Sequence, residues 1–316
     1  LSRGRAFNLS KLWNPGEGCA SLRKGYEKGI KRTRRRKMKT RNLFYRVLTV
    51  AVLCAMLLPW NSGSPSGMAR AAQLSSSVSA SLGPWSFTSS LVTGRYTFGA
   101  AAWGNYIYVL GGTNSSGILN SVERATINPD GSLGTWQTIG TLSTARTCHK
   151  AVAVGGYLYV LGGLNSSSQV LKSVEYAAIN ADGSLGTWHT TSSMTVERYN
   201  MGVVSANGYL YAIGGSSASV VLSSVEYAPI NANGTLGNWQ TTNSLSTARV
   251  GINAIAANGY IYVPSGGNAS GKLSSVEYAA IQAGGSLGVW HSTRSLNTAR
   301  VYYAAFTDGS FVYVLA

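Results

Sequence analysis

The chain has 316 residues, of which 45% are hydrophobic, and a formal net charge of +16 at pH 7. Its length and apolar content allow one extended domain or two ordinary ones. The first 72 residues carry 16 Lys and Arg against two Glu, whereas the remaining 244 residues carry 10 basic and 8 acidic groups. A nucleic-acid-binding surface needs basic groups on the folded part of the chain, so we expect no nucleic acid as a partner.

The N-terminal segment has the organisation of a secretory signal. A basic stretch follows Met38, an apolar run extends from Val47 to Trp60, and the small-residue motif Ala69-Arg70-Ala71 comes next. These features predict a signal peptide at residues 38–71 that is removed by cleavage. The apolar run contains Pro59 and is shorter than the roughly 18 residues that a membrane span requires, so we expect no stable span in the mature protein.

Two further segments lie beside the predicted signal. Residues 1–37 show neither strand alternation nor a sustained helical stripe, and we expect this basic extension to be absent from the mature protein. Residues 72–83 are rich in serine, which predicts a flexible linker. A protein processed in this way is secreted or extracytoplasmic, at the cell surface or in the periplasm.

Residues 84–316 contain an internal repeat with a step of 51 or 52 residues. Four markers keep the same register: a tryptophan, an arginine, a Tyr-x-Tyr motif and the motif Ser-Val-Glu. The tryptophans are Trp85, Trp136, Trp188, Trp239 and Trp290, and the arginines are Arg95, Arg146, Arg198, Arg249 and Arg300. Independent markers in one register indicate a repeat architecture in which each unit packs on its neighbours.

Each unit predicts four short antiparallel strands. The first is an apolar stretch after the arginine, and it ends at a pair such as Asn207-Gly208 or Asn258-Gly259, which favours a two-residue hairpin. The second strand ends at a diglycine, the third contains the Val-Glu motif, and the fourth bears the tryptophan. The second hairpin is predicted at Asp130-Gly131, Asp182-Gly183, Asn233-Gly234 and Gly284-Gly285. Four strands in about 50 residues are typical of a propeller blade.

These residues resemble the kelch family, in which a diglycine closes the second strand, a tryptophan follows about one strand later, and an arginine precedes the next blade. The resemblance covers residues 84–316 and implies an all-β fold, a β-propeller of four-stranded kelch-like blades. The sequence contains four full blades plus partial ones, so we expect an incomplete ring that is truncated at the C-terminus, and six or seven blades in the full protein.

The fourth unit departs from the family pattern. Pro264-Ser265-Gly266 stands where the other units have Leu-Gly-Gly or Ile-Gly-Gly. Since the first glycine of the pair is expected to need an unusual backbone conformation, two outcomes are open. Either Ser265 adopts that conformation, or the turn shifts by one residue.

Residues 84–316 contain few candidates for catalysis. The histidines are His149, His189 and His291, and no pair of them has the spacing of a metal site. Cys148 precedes His149, but adjacent strand residues point to opposite faces and do not form a thiol–imidazole couple. Galactose-oxidase-like copper enzymes share the kelch propeller, but their two histidines and cross-linked Cys/Tyr pair are not recognisable here. We therefore expect structural or surface roles for the histidines, no cofactor and no enzymatic activity from these residues.

Charged and aromatic residues that recur in every unit have two interpretations. The arginines and the glutamates Glu123, Glu175, Glu226 and Glu277 are compatible with a ring of charge for an anionic ligand. Identical groups in every repeat more often bond backbone turns or join blades, which is the interpretation we favour. We likewise expect the recurring Tyr and Trp in the core rather than on a sugar-stacking platform. The segment from Asp182 to Trp188 resembles an Asp-box of sialidase-type propellers, but Asn233 and Gly284 replace the Asp elsewhere, which favours a plain hairpin turn.

Function is expected where the repeats differ. One variable region is the Ser/Asn-rich loop after each diglycine, and the other is the segment just after each arginine, where the innermost strand begins. We predict that the second region binds the ligand at one mouth of the central channel, through Tyr96, Phe98, Thr147, Lys150, Tyr199, Asn200, Asn253, Tyr302 and Tyr303. The predicted function is an extracytoplasmic, non-catalytic binding module for a protein or glycan ligand. The alternative is a carbohydrate-active or copper-oxidase-like kelch enzyme whose catalytic residues lie outside this sequence.

Overall fold

The computed structural model describes residues 86–315. The predicted extension, signal peptide and linker lie outside the described residues, as do Trp85 and Ala316. The described chain consists of strands and turns, with a short 3-10 turn at Ala283–Gly285. In chain order the strands are β1 (Gly99–Trp103), β2 (Tyr106–Leu110), β3 (Thr113–Asn114), β4 (Gly117–Ile118), β5 (Ser121–Thr126), β6 (Gln137–Thr141), β7 (Lys150–Val154), β8 (Tyr157–Leu161), β9 (Val174–Ala178), β10 (His189–Thr191), β11 (Gly202–Ala206), β12 (Tyr209–Ile213), β13 (Val225–Pro229), β14 (Gln240–Thr242), β15 (Ile255–Ala257), β16 (Tyr260–Asn268), β17 (Gly271–Ala280), β18 (His291–Thr293), β19 (Ala304–Thr307) and β20 (Val312–Leu315).

The strands form four successive four-stranded antiparallel sheets, which we call blades 1 to 4. Their strand orders are β1-β2-β5-β6, β7-β8-β9-β10, β11-β12-β13-β14 and β15-β16-β17-β18, and β3 and β4 form a separate small hairpin. The pair β19-β20 is the inner part of a fifth blade, and the described residues do not close the ring. The first strands of successive blades lie next to one another, around a common axis. The predicted all-β propeller of four-stranded blades is confirmed.

Hairpin turns between the first two strands follow from the local sequence. Asn207 and Gly208 have φ values of 49° and 80°, and Asn258 and Gly259 have 51° and 79°. Two consecutive positive φ values define the type I′ turn, which asparagine and glycine adopt at low cost and which matches the twist of the strands. These pairs therefore set the register in which the second strand folds back on the first, as predicted.

The second hairpin of each blade is held by its own side chains. Oδ1 of Asp182 accepts hydrogen bonds from the backbone N–H and the hydroxyl of Ser184, at 2.9 and 2.7 Å. Oδ1 of Asn233 makes the same two bonds with Thr235, at 3.1 and 2.7 Å. Because an amide oxygen replaces the carboxylate at Asn233 without changing the contacts, and Gly284 stands at this position in blade 4, the turn requires no charge. The segment is therefore a plain hairpin turn, as predicted, and not an Asp-box.

Tyrosine hydroxyls on the second strand of one blade reach the second hairpin of the next blade. Each of these tyrosines is fully buried, and its hydroxyl donates to a glycine carbonyl oxygen about 75 residues further along the chain. The bonds join Tyr108 to Gly183 (2.8 Å), Tyr159 to Gly234 (2.7 Å) and Tyr211 to Gly285 (2.8 Å). A buried hydroxyl needs a partner, so the repeat places the ring in the core and its polar end on the neighbouring blade.

Each blade tryptophan lies just before the outer strand, since the strands β6, β10, β14 and β18 begin one residue after it. Nε1 of Trp239 donates to the carbonyl oxygen of Ser192 in the preceding blade at 2.9 Å, and Nε1 of Trp290 bonds Asn243 in the same way at 2.8 Å. Both rings are buried in core clusters, whereas Trp188 is partly buried. The tryptophans are therefore core residues that join blades, as predicted, although they precede the strand rather than lie in it.

The recurring arginines and glutamates form buried ion pairs within blades 1 to 4. In blade 3, Arg198 pairs with Glu226 and also donates to the carbonyl oxygens of Gly214 and Ser224, at 2.8 and 3.1 Å. Glu226 in turn accepts a hydrogen bond from the N–H of Val196 in the connection that enters the blade, at 3.1 Å. The guanidinium and the carboxylate are both directed into the blade, so these charges serve the repeat and do not form a ring for an anionic ligand.

Ser265 takes the place of the first glycine in the fourth blade and keeps its backbone conformation. Its φ is 65°, compared with 54° at Gly111, so the first of the two expected outcomes holds. A Cβ at Gly111 would lie 2.6 Å from the carbonyl oxygen of Arg146. The Ser265 hydroxyl lies 2.7 Å from the equivalent carbonyl oxygen, that of Arg300, and also accepts a bond from the Arg300 N–H at 2.9 Å. Hydrogen bonding thus compensates for the close approach that would otherwise require glycine.

Candidate functional site

A ladder of backbone hydrogen bonds connects the blades at the start of their inner strands. The second residue after each recurring arginine has a positive φ, between 51° and 67°, and from blade 2 onward its N–H donates to the carbonyl oxygen of the equivalent residue in the preceding blade at 2.9 Å. The ladder residues are Thr97, Cys148, Asn200, Gly251 and Tyr302. Four of the five are not glycine, so the bonds between blades hold a conformation that the side chains themselves disfavour.

The residues on either side of the ladder belong to the packing of the blades. Tyr96, Thr147 and Tyr199 directly follow an arginine, and each pairs through a β-bridge with the residue after a diglycine. Thr147 and Tyr199 are buried, and Tyr96 is partly buried. Phe98 and Tyr303 each lie three residues after a recurring arginine. Phe98 packs against the core of blade 1, and Tyr303 is buried. These five predicted site residues therefore offer little side-chain surface to a ligand.

The other four predicted residues meet over the inner strands, and we call them the mouth cluster: Lys150, Asn200, Asn253 and Tyr302. Nζ of Lys150 in blade 2 donates to Oδ1 of Asn253 in blade 4 at 2.7 Å. Nδ2 of Asn200 in blade 3 donates to the hydroxyl of Tyr302 in the fifth blade at 3.4 Å. Each contact spans the blade that lies between the two residues. The structure thus brings these four predicted residues together in two pairs, each between alternate blades, and their role in ligand binding stays a prediction.

Small residues at matching positions leave space for these long contacts. Blade 3 has Gly202 at the position that Lys150 occupies in blade 2, so no side chain of blade 3 stands there. The ladder residue of blade 4 is Gly251, where a Cβ would lie 3.1 Å from the ring of Tyr302. Glycine at these two positions therefore leaves room beside the side chains that extend over the mouth.

Burial changes the acid–base properties of the mouth cluster. Desolvation lowers the pKa of Lys150 to about 8, because it disfavours the charged ammonium. Desolvation also raises the pKa of Tyr302 to about 12, with a further contribution from the nearby Tyr199. At neutral pH the mouth cluster therefore contains one ammonium group and one neutral phenol, and the Asn200 side chain that bonds the phenol is itself buried.

His149 is a packing residue and not part of the mouth cluster. Its Nε2 accepts the N–H of Gly99 in blade 1 at 3.1 Å, and burial lowers its pKa to about 3, so the ring is neutral. Blades 3 and 4 have Met201 and Ile252 at this position, and both are buried. The ring fills the same gap between neighbouring blades as these apolar side chains, which is the structural role that we predicted for it.

A second depression lies beside the mouth, between the loops that follow the second strands of blades 3 and 4. Its volume is about 430 Å³, and its lining includes Ser216, Val220, Val221, Ala248, Asn268 and Ser270. Since the second strand ends beside the start of the first in every antiparallel blade, these loops share one end of the propeller with the mouth cluster. The mouth and the loops are separate regions in the sequence of each unit, whereas the structure places them at the same end of the propeller. Their lack of repetition was the signal that pointed to both.

No group of three or more His, Cys, Asp or Glu in residues 86–315 is arranged to hold a metal ion. No helix in the described part of the chain is long and apolar enough to cross a membrane.

Comparison with known proteins agrees with the geometry of the blades. The family model described as Kelch motif matches residues 94–124, 145–176 and 197–227. Each match begins beside a recurring arginine and ends in or just after the third strand of blade 1, 2 or 3. The chain therefore contains kelch repeats. The matched segments contain the buried Arg–Glu pair and the diglycine of blades 1 to 3.

Three curated relatives of this kelch-repeat protein match parts of it. They are Kelch repeat and BTB domain-containing protein 13 of Homo sapiens (30% identical over 162 residues, 50% of this chain and 34% of the relative), Kelch repeat and BTB domain-containing protein 1 of Camelpox virus (25% over 175 residues, 54% and 29%) and Beta-scruin of Limulus polyphemus (31% over 84 residues, 27% and 9%). The chain therefore spans about a third or less of the length of these relatives. The solved structure of YjhT is 14% identical, with a TM-score of 0.54 over 70% of this chain and 84% of that one, which supports the fold alone.

Proposed function

We propose that this kelch-repeat protein is a non-catalytic binding module that acts outside the cytoplasm and holds a protein or glycan ligand on the face containing the mouth cluster. One observation carries the proposal. Charged and aromatic residues that recur in every blade are used inside the repeat, whereas the mouth cluster is polar, differs between blades and lies at or just before the start of the inner strands. Groups that are already ordered bind a ligand at a low entropic cost.

The extracytoplasmic location rests on residues 38–71, whose pattern is that of a secretory signal. N-terminal sequencing of the protein recovered from the medium or the periplasm tests it. A mature chain that begins near residue 72 supports export. A chain that is retained with residues 1–71 intact contradicts it.

Tyr302 is the best probe of the binding face, because it is 44% exposed while Tyr199 is almost completely buried. Tyr260 is a matched control, since it is 38% exposed and begins β16 at the opposite end of its blade. After a ligand is identified on arrays of glycans and peptides, Tyr302→Ala should weaken its binding about tenfold or more, and Tyr260→Ala should leave the affinity unchanged. Equal affinities of the two variants would place the ligand elsewhere.

The loops beside the mouth provide the second arm of this test. Val220 is 56% exposed and lines the depression between blades 3 and 4. If Val220→Asp abolishes binding while Tyr302→Ala has no effect, the outer loops and not the mouth cluster hold the ligand. If both variants weaken binding, the ligand contacts both the mouth cluster and the loops. Melting temperatures of all variants show whether each retains its fold.

A further inference from the structure

Lys150 carries a charge for which residues 86–315 supply no counter-ion. The four close Arg–Glu pairs engage Glu123, Glu175, Glu226 and Glu277, and none of the four involves a lysine. The remaining described glutamate, Glu197, directly precedes Arg198 and acts on that guanidinium. The described aspartates lie in hairpin turns at the other end of the blades, where their carboxylates bond backbone and side-chain groups of the turn. The ammonium of Lys150 has an amide oxygen as its partner instead, that of Asn253 at 2.7 Å.

Asn253 is oriented so that its oxygen, and not its nitrogen, is directed at the ammonium. Its Nδ2 donates to the carbonyl oxygen of Tyr303, and its backbone N–H lies 3.3 Å from the Tyr303 hydroxyl. This arrangement fixes the amide in one orientation. An ammonium has three N–H donors, and the bond to Asn253 uses one of them. Two donors of Lys150 therefore remain for a ligand at the axis.

We propose that Lys150, held by Asn253, is a binding site for one carboxylate group of the ligand, an inference that rests on the proposed function of the mouth cluster. A desolvated ammonium gains more from an anionic acceptor than from a neutral one. A carboxylate matches it in charge, and its two oxygens can accept the two remaining N–H donors. The carboxylate belongs either to an acidic residue of a protein or to an acidic sugar, and the two sources are separated by the experiment.

The other titratable groups around Lys150 do not compete for this role. His149 beside it is neutral and directed towards blade 1. Arg146 and Arg249, which precede the strands that carry Lys150 and Asn253, are paired with their own glutamates. Burial keeps Tyr303, whose hydroxyl lies near the Asn253 backbone, protonated by raising its pKa. A bound anion is therefore expected to act on the titration of Lys150 above all.

The first test uses acetate as the probe and lysine side-chain NMR of the full chain as the readout. The Lys150 signal is assigned by its absence from Lys150→Met. Because an anion binds the protonated amine, acetate at about ten times its Kd should raise the apparent pKa of Lys150 by about one unit, and acetamide should not. Lys272, which is exposed, is the internal control. An unchanged titration of Lys150 in saturating acetate would overturn the site.

The second test separates the two sources of the carboxylate. Affinity is compared for peptides that differ by Glu against Gln, and for oligosaccharides that differ by galacturonate against galactose. The acidic member of one pair should bind about ten- to a hundredfold more tightly, and Lys150→Met should remove that preference while Lys272→Met keeps it. Lys150→Arg retains the charge, so it should keep part of the preference if Lys150→Met fails to fold. Equal binding of both members in both pairs would contradict the proposal.

The outcomes also separate this inference from the proposed function. If Tyr302→Ala abolishes binding but the acidic and the neutral member of each ligand pair bind equally, the binding face is supported and the carboxylate site is refuted. An acetate-dependent shift of Lys150 without any Tyr302-dependent ligand supports the anion site and contradicts the proposed binding face.

Discussion

Replacement of His149 by methionine should remove an acid-sensitive element from the interface between blades 1 and 2. The imidazole is buried, its Nε2 accepts the Gly99 N–H, and within the described residues its Nδ1 has no hydrogen-bond partner. The repeat itself indicates the substitution, because Met201 occupies the same position in blade 3. The apolar side chain should fit this gap but cannot accept the Gly99 hydrogen bond, so its effect at neutral pH combines two opposing contributions.

The pH dependence isolates the histidine. Burial lowers its pKa from 6.5 to about 3 in the folded state, so between these values the unfolded chain binds more protons than the folded chain. Stability therefore falls as the pH falls through 6.5 and stops falling near 3. At pH 5 the loss is about 2 kcal/mol and at pH 3 about 4 kcal/mol, since each pKa unit corresponds to about 1.4 kcal/mol.

Urea unfolding at pH 7.5 and pH 5, followed by tryptophan fluorescence, measures this difference. The free energy of unfolding of His149→Met minus that of the unaltered chain should increase by about 2 kcal/mol between the two pH values. His189→Gln is the control, because His189 is exposed and Gln137 and Gln240 stand at its position in blades 1 and 3. If His149→Met and the unaltered chain lose the same stability on acidification, the buried neutral imidazole is refuted as the acid-sensitive group.

Three further substitutions test the contacts that the repeat uses, each by thermal or chemical unfolding. Glu226→Gln leaves the buried guanidinium of Arg198 without its counter-ion and should destabilise the chain by about 3 to 5 kcal/mol; a change below 1 kcal/mol would mean that the pair is not desolvated. Trp239→Ala should lower the free energy of unfolding by about 3 to 5 kcal/mol, and Trp103→Ala, which removes a more exposed ring, should lower it far less. Similar values for the two variants would contradict the assignment of Trp239 to the core. Tyr159→Phe removes a hydroxyl bond between blades 2 and 3 and should cost about 1 to 2 kcal/mol, with an unchanged melting temperature counting against that bond.

The fold could be predicted from the sequence because its determinants are local and are repeated. Asn207-Gly208 determines a hairpin with little help from the remainder of the chain, since both residues adopt positive φ easily. The exchange of Asp182 for Asn233 in the second hairpin correctly excluded a required carboxylate. The recurrence of Arg198 and Glu226 at fixed spacing likewise predicted a role inside the blade.

The candidate site was only partly predictable. Sequence spacing located the segment after each arginine but did not show which of its residues reach the axis. Thr147 and Tyr199 turned out to be buried beside their diglycine loops, whereas Lys150 and Asn253 met across a blade. The contact joins residues 103 positions apart across blade 3, which has Gly202 at the matching position, and no local pattern connects the three.

The sequence by itself determined the blade, its hairpins and the residues that each blade uses internally, because these depend on spacing and on turn chemistry within one unit. Only the tertiary structure decided which side chains form the mouth cluster. The decisive element is the ladder of positive-φ residues, where Thr97, Cys148, Asn200 and Tyr302 adopt a conformation that their own side chains disfavour. Hydrogen bonds from the neighbouring blades impose that conformation, and it turns the flanking side chains towards the core or the axis. The composition of a segment cannot reveal a constraint that a neighbouring blade imposes on its backbone.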